Sequence, residues 1–150
     1  MKKILGLTVI CLILLVTCVG AFRATDDQTS IKADVEIGER MFMTQIDDIY
    51  INIDDYLGKI IKYEGIFGMH EDPSTGKTYR YVFRYAPGCC GNDAMSGFEV
   101  GWDGNYPSVN DWVEAVGKLG LYEEDGEKHL RINLSSLAVL PNRGAEIVTR

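Results

Sequence analysis

The chain has 150 residues, of which 46% are hydrophobic, 10% aromatic and 25% charged, with a formal net charge of −7. That profile excludes a disordered or collagen-like chain, and the length suits one core rather than two. Without residues 1–21, which hold Lys2 and Lys3, 13 basic residues stand against 22 acidic ones, a charge of −9. No nucleic-acid partner is expected, because each Lys or Arg contact to a phosphate would compete with the domain's own field.

Residues 1–22 read as a signal peptide or membrane anchor. Lys2 and Lys3 precede 19 uncharged residues, 4–22, which is the basic-then-apolar order of a secretory signal. Three fates are open. At ~1.5 Å per residue such a segment reaches close to the ~30 Å of a bilayer core and would serve as an uncleaved anchor. The small residues of Val19-Gly20-Ala21 offer a peptidase site after Ala21. Leu15-Val16-Thr17-Cys18 resembles a bacterial lipobox, which makes Cys18 a candidate for lipidation. Each fate places residues 23–150 outside the cytoplasmic membrane, anchored or secreted, since Lys2 and Lys3 hold the short N-terminus inside. Residues 23–35 are polar and aperiodic, a flexible tether.

Residues 36–150 are expected to form one mainly β domain. In residues 36–56, Met41, Phe42, Ile46, Ile49, Tyr50 and Ile53 recur at roughly helical spacing with acidic residues between them. An amphipathic helix is expected, broken near Asn52 and ending at Gly58. From Lys59 the period becomes two. Residues 59–71 form a first strand, interrupted by Gly65 and Gly68 in the manner of a coiled or bulged strand. A turn at residues 72–76 leads to a second strand, 77–86, with Tyr79, Tyr81, Phe83 and Tyr85 on one face and Arg80, Val82 and Arg84 on the other. Residues 98–102 form a third, short strand. Residues 112–123 and 128–140 form a long hairpin around Asp125-Gly126, with Val116 and Ile132 facing inward. Five strands with little helix between them predict a small OB-like barrel preceded by the helix, which would plug one end. The aromatic face is read as core or rim rather than as a base-stacking platform, because only Arg80 and Arg84 lie beside it.

Cys89 and Cys90 are the only cysteines outside the N-terminal segment. Adjacent Cα atoms are ~3.8 Å apart, below the ordinary disulfide range, so a bond between them would be strained. Two thiolates, the carboxylate of Asp93 and the imidazole of His70 are a candidate ligand set for zinc or another soft metal ion. Thiol-redox chemistry is a second reading, and two small buried side chains packed under a loop a third. His129 reads as an exposed hairpin residue, and the acidic run 123–125 as a solvated turn. The chain contains no GxSxG, no HExxH and no glycine-rich phosphate loop, so no catalytic residue is assigned.

Residues 81–85 (YVFRY), the Cys89-Cys90-x-x-Asp93-Ala94 run and the later Trp112-Val113 together resemble the C-terminal domain of a bacterial membrane-protein family, the YcgQ type. The segment from Tyr56 to Lys59 is also similar to theirs. The likeness covers roughly residues 36–140, and this chain looks like a free-standing version with a single hydrophobic segment. It implies a domain outside the membrane that associates with a multi-pass permease, and it implies no reaction. The function expected is that of a membrane-tethered accessory domain, binding a metal or small ligand through the cysteine loop and serving a transport system. A protein-interaction module with structural cysteines is the alternative.

Overall fold

A single strand, β2 (Ile60–Glu71), organises the domain by serving different neighbours along its length. Its residues 60–66 pair antiparallel with β5 (Trp112–Glu124), and its residues 66–71 pair antiparallel with β3 (Thr78–Gly88). β3 continues antiparallel to β4 (Gly91–Gly101), β4 runs parallel to β6 (Glu127–Val139), and β6 returns antiparallel to β5. The order β2-β3-β4-β6-β5 closes on itself through β2–β5 as a five-stranded barrel. A two-residue strand, β1 (Val35–Glu36), lies parallel to residues 61 and 62. Asp34 adds to that contact, its amide donating to the Ile60 carbonyl and its carboxylate accepting from the Ile60 amide. The computed structural model describes residues 31–149; the candidate signal or anchor and Cys18 lie outside the described residues. No helix among the described residues is long and apolar enough to cross a membrane.

The helical segment follows the sequence pattern closely. After a 3-10 turn (Glu39–Met41), α1 (Phe42–Ile51) buries Phe42, Met43, Ile46 and Ile49 in the main core. There they meet Ile61, Tyr63, Phe67, Val82, Phe98, Val113 and Ile132 from the barrel wall. Asn52 stops the helix, its amide donating to the Asp48 carbonyl and its side chain to the Asp48 carboxylate at 2.7 Å. One further turn, α2 (Ile53–Tyr56), leads to Gly58, whose φ of +82° reverses the chain into β2.

Three expectations need correction. β2 carries no register shift; the shifts fall at residues 116/117 in β5 and 86/88 in β3. Gly65 and Gly97 answer instead to close approach. A Cβ on Gly65 would stand 2.7 Å from the Phe83 carbonyl oxygen, and one on Gly97 would stand 2.1 Å from that of Val82. The third barrel strand begins at Gly91 rather than Phe98, making the 78–101 hairpin long. Val116 is buried but sits outside the main core, because Val113, Ala115 and Leu119 take the inward parity of β5.

The β2–β3 turn is held by one carboxylate. Asp72 accepts from the Ser74 amide at 2.8 Å, the Ser74 hydroxyl at 2.6 Å and the Thr75 hydroxyl at 2.9 Å. These bonds, led by the Ser74 hydroxyl, lower its pKa to about 2. A depressed folded pKa stabilises above the unfolded value, and that contribution is lost as pH falls through the folded value. The turn should therefore hold at pH 4 and loosen towards pH 2. A carboxyl chemical-shift titration should place the Asp72 midpoint near 2; an ordinary aspartate midpoint would refute the assignment.

Candidate functional site

Period-two alternation on β3 sends Val82, Arg84 and Ala86 into the domain, where all three are buried. Tyr81, Phe83 and Tyr85 therefore point the other way, onto the outer face. The aromatic stripe thus lies outside the main core, though Phe83 is buried with Ile66 and Trp112 in a second, smaller cluster, and the buried cation is a surprise. Arg84 is 2% exposed. Its Nε donates to the Glu64 carbonyl at 2.9 Å and its Nη1 to the Ala145 carbonyl at 3.2 Å. The guanidinium lies 4.6 Å from the Phe42 ring centre and 4.8 Å from that of Trp112. Arg84 is structural and leaves the outer face without its charge.

That outer face holds two adjoining grooves that share Tyr81, Phe83 and Met95. The larger, about 520 Å³, is bounded by Tyr50, Glu99, Leu121, Lys128 and His129. The smaller, about 310 Å³, runs to Met69, His70, Tyr85, Val109 and Asn110. Gly68 and Gly97 line these grooves beneath Phe83. A Cβ at Gly68 would lie 2.6 Å from the Phe83 ring, so the glycine is what lets that ring lie flat on β2. At the far rim the Tyr122 hydroxyl donates to Glu99 at 2.7 Å. Burial, and then that bond, push the Tyr122 phenol above its ordinary value, so it remains a donor. Lys77 pairs with Glu124, tying the β2–β3 turn to the β5–β6 turn. His129 is drawn into this rim, its ring 5.4 Å from that of Tyr122. Nothing in the residue pattern joins Met95, Glu99 and His129, because their meeting depends on β4 lying between β3 and β6.

Cys89 and Cys90 form the two-residue turn of the β3–β4 hairpin, between the paired Gly88 and Gly91. Gly91 takes a φ of +126°, which an L side chain rarely adopts. Both thiols are free and exposed, with their sulfurs 3.5 Å apart. The expectation of two small side chains packed beneath a loop is thereby corrected; among the described residues, nothing covers this tight turn at the hairpin tip. The side chain of Asp93 lies outside the described residues. His70 is not brought to the cysteines: it pairs with Tyr79, ten residues along β3 from Cys89, roughly 30 Å on an extended strand. Among the described residues, no group of three His, Cys, Asp or Glu side chains is placed to hold a metal ion.

Comparison with known families settles the relationship. The model of the DUF1980 C-terminal domain matches residues 20–141. The chain belongs to the DUF1980 C-terminal domain family. The match takes in the helix, all five barrel strands and the cysteine turn, so barrel and turn belong to one family domain. No curated protein matches the chain.

Proposed function

We propose that this DUF1980 C-terminal domain is an extracytoplasmic, membrane-tethered accessory domain that binds a soft metal ion at its cysteine turn and serves a transport system. One observation carries the reading: two free, exposed thiols stand 3.5 Å apart on a glycine-flanked two-residue turn. With zinc–sulfur bonds of ~2.3 Å, that spacing gives a bite near 100°, close to a tetrahedral angle. Asp93, the third residue of β4, is the candidate third ligand, and His70 is not part of the set. Tethering and outward placement rest on Lys2, Lys3 and the uncharged residues 4–22. Association with a multi-pass permease rests on the likeness to the YcgQ type. The barrel is best read as OB type: its order is β2-β3-β4-β6-β5, with the β4–β6 contact parallel. In that fold the second and third strands, here β3 and β4, carry the binding face.

Metal titration of the reduced protein tests the reading. Zinc or monovalent copper should bind at micromolar concentration, and affinity should fall with pH as the thiolates protonate. Cys89→Ser and Cys90→Ser should each abolish binding at the turn, and Asp93→Asn should weaken it. A membrane-impermeant maleimide should label the same thiols in intact cells. A native protein that takes up neither ion would overturn the metal reading, and labelling only after lysis would overturn the outward placement.

A further inference from the structure

We infer that the outer face binds an amphiphilic primary amine, whose ammonium pairs with Glu99 in the larger groove and whose apolar chain lies along β4 into the smaller one. The strand register puts the parts in line. Tyr81 pairs with Glu99, Phe83 with Gly97 and Tyr85 with Met95, so these alternate residues of β3 and β4 share one face. Tyr81, Phe83 and Met95 line both grooves, which makes the two a continuous path. From Glu99 to Met95 that path runs roughly 13 Å along the strand. Gly97, midway, carries no side chain to interrupt it.

Negative charge stands at one end of the path only. Glu99 is half-buried and accepts from the Tyr122 hydroxyl at 2.7 Å, which leaves most of its acceptor capacity free. Among the described residues no cation forms an ion pair with it. The Arg131 guanidinium, opposite on β6, lies over the Tyr122 ring at 4.6 Å, and the His129 ring leans on the same tyrosine. Lys128 has the other parity of β6 and is exposed. Burial, and then Glu99, push the Tyr81 phenol above its ordinary value, so it stays neutral beside the carboxylate. A carboxylate sheltered by the Tyr50 and Tyr81 rings holds an ammonium more firmly than an exposed one does, and the rings add their own attraction. The charge of −9 on residues 22–150 also favours an approaching cation over an anion. The other end has the opposite character. The smaller groove is lined by no Asp, Glu, Lys or Arg, and its Met95 and Val109 are 65% and 56% exposed. An apolar chain laid over them gains by the area it covers. A second ammonium there would lose its water and meet no counter-charge, so the ligand is charged at one end only.

The site does not involve the cysteine turn, and amine titration of the full chain tests it. One n-octylamine per chain should bind and shift the Met95 methyl resonance, while octanol and octanoate should bind far more weakly. Each methylene removed from the amine should weaken binding about three- to fourfold. Glu99→Gln should weaken it roughly tenfold or more. Glutamine still offers Tyr122 an acceptor, so the fold should persist, and an unchanged circular dichroism spectrum checks this. Met95→Glu, at an exposed position, supplies the counter-charge that the apolar end lacks. It should reverse the preference: the α,ω-diamine of octane, the weaker ligand of the native chain, should become the tighter one. Absence of octylamine binding, octanol binding as tightly as octylamine, or binding indifferent to Glu99→Gln would overturn the site. So would a preference for the diamine already present in the native chain.

Discussion

Ile132→Asp should leave the domain unfolded at room temperature. Ile132 is 0% exposed and joins the main core from β6, opposite Leu119 on β5. The buried cation Arg84 is already bonded to the Glu64 and Ala145 carbonyls, and an unpaired buried carboxylate costs several kcal/mol. A domain of this kind has ~5–15 kcal/mol in total. Val116→Asp is the informative companion. Val116 is 5% exposed but lies outside the main core, beside the register shift at residues 116/117. Its aspartate variant should be destabilised by a smaller amount and still give a cooperative urea transition. A folded Ile132→Asp variant with near-native stability would show that the barrel interior is not the core.

The helix, the barrel and the Asp125-Gly126 turn were legible because each rests on local chemistry. Asp125 and Gly126 have φ of +52° and +83°, the left-handed pair that a two-residue hairpin turn requires. The first half of β4 was not legible. Gly91, Asn92, Asp93, Ser96 and Gly97 have loop composition, and what makes them a strand is pairing with β3. The cysteine turn was placed in the right stretch, but its exposure follows from where that pairing ends. His70 was grouped with the cysteines on the correct inference that its strand neighbours theirs. Register separates them, and register is set by the short β2–β3 turn, which places His70 against Tyr79. The grooves were out of reach for a related reason. Alternation shows that Tyr81, Phe83 and Tyr85 share a face; it does not show which face is inside. That choice depends on Arg84 finding carbonyl partners on residues 20 and 61 positions away.

Arg84→Ala should therefore cost about 3–5 kcal/mol, more than ordinary loss of an arginine, because it removes a side chain buried between Phe42 and Trp112 and strands two carbonyls. Burial lowers the Arg84 pKa, while Glu39 and then Glu64 oppose that shift. An arginine starts so far above neutrality that the guanidinium stays charged there. Its ion-pair partner contributes little by comparison: Glu39 is 3.7 Å away with a side chain 59% exposed. Glu39→Ala should accordingly change stability by less than about 1 kcal/mol. The damage from Arg84→Ala should also be local before it is global. The Tyr85 amide donates to the Glu146 carbonyl, and the Val148 amide to the Tyr85 carbonyl, so the C-terminal segment lies along the free edge of β3. With the Arg84–Ala145 bond gone, that segment should detach. Hydrogen exchange at the Tyr85 and Val148 amides should then quicken ahead of the rest of β3. Equal urea midpoints for Arg84→Ala and Glu39→Ala would refute this account, because they would reduce Arg84 to one half of a surface ion pair.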